Sequence, residues 1–154
     1  MVKNLTIDSQ KGIRINKALI HCAINSLKSE LKITIRSLSI VFLNSEGIKE
    51  INKQYLNHDY STDIITFNYS GDNKDLDGEI FISIEDALEN SKRFGCTVDN
   101  ELFRLIIHGL LHMVGFDDHT IPERNVMTKN ENKYLTVLEN LIKDKPLIYD
   151  GKNS

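Results

Sequence analysis

Apolar positions along the chain fall into two rhythms that take turns from one end to the other. Between Ile15 and Leu31, the residues Leu19, Ile20, Ala23, Ile24, Leu27 and Leu31 recur at steps of three and four. That spacing predicts a helix burying one stripe. Leu38 to Leu43 is a short apolar run with β-branched residues and predicts a strand. Asn44 and Ser45 then offer an N-cap ahead of Ile48, Ile51 and Tyr55, which stand at helical spacing. Asp63 to Tyr69 and Glu79 to Ile82 read as two paired strands, separated by the Gly, Asp and Asn-rich link Ser70 to Gly78.

The second half predicts three more helices. Ser83 followed by Asp86 is a weak capping box, and Gly95 sits where that helix would stop. Thr97 caps the next, in which Leu102, Leu105, Ile106, Leu110 and Met113 keep helical rhythm until Gly115 closes it. Thr120 with Glu123 forms a capping box, Pro122 lies in the first turn, and the last helix buries Tyr134, Leu135, Leu138, Leu141 and Ile142. No internal repeat or low-complexity segment interrupts this order. The pattern predicts one α+β domain over residues 1–142, a small mixed sheet covered by about five helices. Residues 143–154 read as a flexible tail.

Composition narrows the function classes. The chain has 154 residues, 40% hydrophobic and 27% charged, enough for one core and too few for a multidomain machine. Lys and Arg total 19 against 22 Asp and Glu, a formal charge of −3, so a pervasive basic field is absent and any nucleic-acid contact is a local patch. No stretch reaches the roughly 18 apolar residues of a membrane helix, and the start MVKNLTIDSQ lacks a signal-peptide core, so a cytoplasmic protein is expected. Cys22 and Cys96 form no CxxC pattern; both read as buried thiols, neither a disulfide framework nor a cysteine zinc knuckle.

The chemistry concentrates in Ile107 to Thr120, IHGLLHMVGFDDHT. His108 and His112 are four apart on a predicted helix, about 40° apart around it and about 6 Å along it, so two imidazoles share one face. Gly115, lacking a Cβ, suits the left-handed turn that ends the helix and swings the chain back. That return carries Asp117, Asp118 and His119, all competent ligands for zinc, whose catalytic sites use three protein groups and leave one position to water. A histidine pair alone is as often a hydrogen-bonded core feature. The turn and the returning acid and imidazole cluster tip the reading to a metal site at the C-terminal end of the histidine helix. In an HExxH peptidase the residue after the first histidine is the general-base Glu; here it is Gly109, which disfavours peptide hydrolysis.

The segment HGLLHMVG followed by an aromatic and Asp resembles the HGxLHLxGYDH signature of the YbeY family. The likeness extends over most of the chain. Leu43-Asn44 precede a helix ending in Tyr55, Asp59 follows, and Thr62 to Phe67 resembles the family strand TDVLSF. Gly78 to Ser83 is similar to its GDIxIS strand, and Glu101, Met127 and Glu131 fall where the family tends to place them. The resemblance implies a zinc-dependent endoribonuclease for single-stranded RNA, with one zinc ion per chain held by three side chains. It also implies work on the 3′ end of small-subunit (16S) rRNA and in ribosome quality control, with rRNA, the small subunit and its ribosomal proteins as partners, and neither membrane nor DNA.

Two departures matter. The family's third histidine lies six residues after the second, a place held here by Asp118, while His119 is one residue later. His108 and His112 are thus the expected catalytic and metal residues, with Asp118 as third ligand, His119 as the alternative, and Asp117 as a supporting or capping group. The family Arg after Tyr55 is Leu56 here, so Arg104 and His58 become the substrate-binding candidates, with Asn57 beside them. A basic strip of Lys28, Lys32 and Arg36, with Lys11, Arg14 and Lys17 ahead of it, is either RNA-facing or a solvated face. Against the nuclease stands a ribosome-assembly factor with a structural, four-ligand zinc.

Overall fold

The computed structural model describes residues 1–149. Four strands form one mixed sheet: β1 (Leu5–Ser9), β2 (Thr34–Leu43), β3 (Ile64–Asn68) and β4 (Asp75–Ser83), in the order β1-β2-β4-β3. β1, β2 and β4 run parallel, and β3 pairs antiparallel to β4, with Thr66 opposite Ile80. Parallel neighbours need long crossovers. The crossover from β1 to β2 is α1 (Lys17–Leu31), and the one from β2 to β4 runs through α2 (Ser45–Leu56) and β3. α3 (Ile84–Phe94), α4 (Val98–Met113) and α5 (Ile121–Ile142) complete the α+β domain.

The pleat divides the sheet into an apolar and a mixed face. Ile7, Ile40 and Ile80 lie in one row at 4, 0 and 0% exposure, and α4 packs on that face. Its approach is so close that a Cβ at Gly109 would come within 2.9 Å of Ile80 Cδ1. This glycine therefore seats the histidine helix on the sheet, and a Glu at position 109 has no room. The opposite face is only partly covered by α2, whose Tyr55 packs edge-on to Phe67.

The capping residues act where the sequence indicates. Asn44, Ser83, Thr97 and Thr120 each accept a backbone N–H in the first turn of α2, α3, α4 and α5, and Glu123 returns a bond to the Thr120 N–H. Two expectations are corrected, and one strand goes beyond them. β1 was not anticipated: its alternation covers only five residues, and its Leu5 pairs with Leu38 of β2. The segment after residue 142 is not a free tail as far as Tyr149. Leu147 is fully buried, its N–H donates to Asp99 Oδ2 at 3.0 Å, and Ile148 bridges to Ile15. Leu147 carries the burial that anchors it, with Ile148 half-buried beside it. Residues 150–154 lie outside the described residues. Finally, Cys22 is exposed on the outer side of α1 and Cys96 only half-buried, because Cys22 stands off the stripe set by Leu19, Ala23 and Leu27.

Candidate metal centre

α4 presents His108 and His112 one turn apart, and the end of that helix brings back the third group. Gly115 takes φ +110, its N–H donates to the His112 carbonyl at 3.1 Å, and the Phe116 N–H donates to the Leu111 carbonyl at 3.0 Å. This pair of bonds is the Schellman arrangement, which requires the positive φ that glycine tolerates. The chain then reverses, and Asp118 Oδ2 stands 3.3 Å from His108 Nε2 and 3.4 Å from His112 Nε2. These three ligand atoms lie within 4.8 Å of one another, the one such group among the described residues.

Hydrogen bonds on the far side of each ring fix what faces inward. His112 Nδ1 lies 3.0 Å from the Phe116 carbonyl oxygen, which can only accept, so Nδ1 carries the proton. The cap that ends α4 thereby orients His112. His108 Nδ1 lies 2.6 Å from Glu131 Oε2, again an acceptor, and donates to it. In both neutral rings the bare Nε2 lone pair then points into the site, and the two Nε2 atoms are 2.9 Å apart. Two lone pairs at that separation, with a carboxylate oxygen beside them, repel one another unless a proton or a metal cation lies between them.

The residues fit zinc on their own geometry. Ligands at about 2.0–2.1 Å from a tetrahedral ion stand about 3.3 Å apart, and the two carboxylate-to-imidazole separations are 3.3 and 3.4 Å. Imidazole and carboxylate donors also suit zinc chemically. Burial opposes a charge on His108, but the bond it donates to Glu131 and the negative charges of Glu131, Asp118 and Asp63 outweigh it and raise its pKa. The same negative surroundings would favour a bound cation.

Behind His108 stands Glu131, to which the sequence assigned no role, paired with Arg104, which was expected to bind substrate. Glu131 on α5 gives one oxygen to His108 and the other to Arg104 Nη1 at 3.0 Å, while Arg104 Nη2 donates to Asn132 Oδ1 at 2.8 Å. A carboxylate holding the outer nitrogen of a metal-binding histidine fixes its tautomer and orientation. Its signal was in the sequence: Glu131 interrupts the buried stripe Met127, Tyr134, Leu138 of α5, a charge on an otherwise apolar face.

The ligand group opens into a cleft of about 510 Å³ lined by Thr62, Asp63, Thr66 and Asn68 of the β3 region together with the three ligand residues and His119. His119 is exposed and outside the ligand group, and Asp117 is exposed, the α5 cap being Thr120. His58 is not brought to the cleft; its ring stacks on Tyr60, whose hydroxyl is 3.0 Å from Nδ1. Arg104 lines an adjoining cavity, but its guanidinium is committed to Glu131 and Asn132. Asn57 serves as the left-handed C-cap of α2, and Leu56 is 43% exposed. None of the basic strip lines the cleft; Arg36 pairs with Asp75 at 2.9 Å and Arg14 lies over Tyr149.

A relative in Parabacteroides distasonis named Endoribonuclease YbeY is 46% identical over 101 residues, 66% of this chain and 70% of its own. One of the same name in Cytophaga hutchinsonii is 36% identical over 130 residues, 84% of this chain and 90% of its own. The solution structure of TM1509 from Thermotoga maritima superposes with a TM-score of 0.67 at 23% identity, covering 97% of this chain and 96% of that one, a likeness of fold. The family described as Endoribonuclease YbeY matches residues 2–139, and the chain belongs to that family.

Proposed function

We propose that this protein is a zinc-dependent, single-strand-specific endoribonuclease that acts in the cytoplasm on the 3′ end of small-subunit (16S) rRNA and in ribosome quality control. The observation that carries the reading is the convergence of two bare imidazole nitrogens and one carboxylate oxygen on a single point at the floor of an open cleft. His108, His112 and Asp118 would hold one ion. When bound, it supplies a Lewis acid for a phosphodiester and a water of lowered pKa.

The chain's own residues do the rest. Glu131 and the Phe116 carbonyl hold the two imidazoles in the tautomer that leaves Nε2 free. Thr62, Thr66 and Asn68 line the cleft with neutral hydrogen-bonding groups that a strand can meet, while Asp63 adds one carboxylate beside the ligand Asp118. Asp118 in place of a third imidazole adds a negative charge to the site and makes a bound ion a weaker Lewis acid. No guanidinium lines the metal cleft among the described residues, so phosphate charge must be met from the adjoining cavity, where Arg93 stands, or by a ribosomal partner. Ribosomal RNA, the small subunit and its proteins are the partners this reading names.

A structural zinc in a non-cutting assembly factor requires a fourth protein ligand, and the group here has three, with His119 turned outside it. The test is elemental analysis of the purified protein and of His112→Ala, followed by incubation of both with single-stranded fragments spanning a 16S 3′ end. One zinc per chain, lost together with cleavage in the variant, is the expected result. A folded, zinc-loaded protein that leaves every fragment intact would sink the nuclease reading.

A further inference from the structure

Beside the metal cleft, and sharing His108 and Asp118 with it, lies a second cavity of about 370 Å³, one wall of which is the end of α3. Asn90, Arg93 and Phe94 stand at steps of three and four there, so one helix face presents all three. Phe94 also continues the stripe of Ala87 and Ser91, both buried. The helix stops at that point: Gly95 takes φ +71, and its N–H donates to the Ser91 carbonyl. The turn leaves the Phe94 ring 64% exposed at the rim, as a wall shared with a further cavity of about 380 Å³.

A single exposed ring is ordinary on a protein surface. Phe94 is set apart by what surrounds it. The guanidinium carbon of Arg93 lies 5.7 Å from the ring centroid, and among the described residues that guanidinium makes no hydrogen bond or ion pair. Arg104, the other guanidinium of these two cavities, is spent on Glu131 and Asn132. Arg93 is therefore the one unspent Lys or Arg that lines the metal cleft or the two cavities next to it, among the described residues. The carboxylates decide where an anion can sit. Asp63 and Asp118 line both the 370 Å³ cavity and the metal cleft, so the wall between the two is acidic. Glu131 is met by Arg104 and His108, and Glu101, 3% exposed, has no surface to offer. An anion that enters beside the metal cleft is repelled by the shared wall and drawn to Arg93 at the rim.

We propose that Arg93 and Phe94 form a nucleotide subsite for the RNA strand, the guanidinium pairing with a backbone phosphate and the ring stacking on the adjoining base. A guanidinium meets a phosphate with two parallel N–H···O bonds. An aromatic face takes any base, because every base has a π face. The subsite is therefore indifferent to base identity and demands only an unpaired base, since one stacked within a duplex has no free face. It also sets the course of the strand, which leaves the metal cleft across the end of α3 toward the cavity that Phe94 shares. Asn100 and Thr128 line that cavity and offer neutral hydrogen-bonding groups to the next nucleotide. The inference rests on the nuclease reading above for the identity of the strand, and on the end of α3 alone for the subsite.

The test titrates fluorescein-labelled 2′-O-methyl decamers, one of uridine and one of adenosine, against the zinc-loaded protein by anisotropy at several KCl concentrations, with strand integrity checked on a gel. Phe94→Ala should weaken both decamers about tenfold, Phe94→Trp should restore them, and binding of a duplex of the same length should not change. Arg93→Gln should lower the slope of log affinity against log salt by about 0.7, the share of one phosphate on a single strand. Lys92→Gln, an adjacent exposed cation that lines none of these cavities, should leave the slope in place. All three positions are exposed, so the variants should fold and keep the zinc content of the unsubstituted protein. The proposal is overturned by Phe94→Ala binding as tightly as the unsubstituted protein, by a loss confined to one base, by an unchanged slope in Arg93→Gln, by an equal drop in Lys92→Gln, or by no measurable binding of either decamer. The expected losses without cleavage of any rRNA fragment leave the subsite standing and remove the nuclease reading. Cleavage of those fragments with unaltered binding by both variants does the reverse.

Discussion

Replacing Glu131 by Gln isolates the part that one carboxylate has in the metal site. Its Oε2 accepts from His108 Nδ1 at 2.6 Å and its Oε1 from Arg104 at 3.0 Å, in a residue that is 7% exposed. The amide keeps the shape but removes the charge that makes the imidazole a better donor, and it offers one acceptor where there were two. Losing such an outer partner typically lowers metal affinity about 10- to 100-fold, which is about 1.4–2.8 kcal/mol. Glu131→Ala goes further, leaving the Nδ1–H and the guanidinium without their acceptor. Breaking a buried pair costs about 3–5 kcal/mol, and the low end applies here because the Arg104 side chain is 28% exposed and keeps Asn132. Zinc affinity is read by competition with a chelator at fixed pH, and fold stability by urea unfolding of the metal-free proteins. An affinity for Glu131→Gln indistinguishable from that of the unsubstituted protein would refute the argument that Glu131 orients His108.

The remaining predictions concern pH, the anchored segment and two of the close-packed glycines. His108 has its pKa raised above 6.5 by Glu131, Asp118 and Asp63 against the opposing effect of burial. Its charged ring therefore stabilises the metal-free fold fully below the ordinary value, and that contribution is lost as pH rises through the folded value. Urea midpoints of the metal-free protein should fall across that interval, those of His108→Gln should not, and zinc affinity should rise over the same interval as protons cease to compete. Leu147→Ala empties a fully buried position and should cost about 2–5 kcal/mol by urea unfolding; a chain ended at Ile142 should lose at least as much, whereas a free tail would make both neutral. Gly78→Ala would drive a Cβ to 2.2 Å from the Phe67 carbonyl oxygen and 2.6 Å from Met113 Cε, and should cost about 3 kcal/mol or more. Gly109→Ala meets only the Ile80 and Ile64 side-chain ends and gains helix propensity of about 1 kcal/mol, so its net cost should be smaller, and a reversed order of the two glycine variants would contradict the packing account.

Much of the fold is written in periodicity and caps. The stripes of α1 and α4 are long enough that no alternative register buries as much, and their caps are local chemistry between residues three apart. β1 and the segment around Leu147 were not legible for the opposite reason. Each is a short apolar run whose burial depends on a partner far along the chain, β2 for the first and the turn before α1 for the second. Nothing within five residues distinguishes such a run from a loop until the pairing is known. Cys22 fails by the same logic in reverse: its hydrophobic character suggests burial, but its angular place on α1 puts it outside.

The candidate site divides along a similar line. His108, His112 and the Gly115 turn are one continuous stretch, so their convergence follows from helix geometry and one positive φ. The choice between Asp118 and His119 is different, because it depends on the conformation of the return and not on helix geometry. Spacing counts residues and does not say which side faces α4; the structure turns Asp118 inward and leaves His119 exposed, with its carbonyl accepting from Arg124 at 3.3 Å. Glu131 and Glu101 lie further still from local rules. Both are carboxylates on otherwise buried helix faces, and such a residue has three physical solutions, a partner, a ligand or a proton. Glu131 has found its partners in Arg104 and His108; Glu101 keeps one oxygen with none. Since burial raises the Glu101 pKa, its charged form lowers stability as pH rises through the folded value.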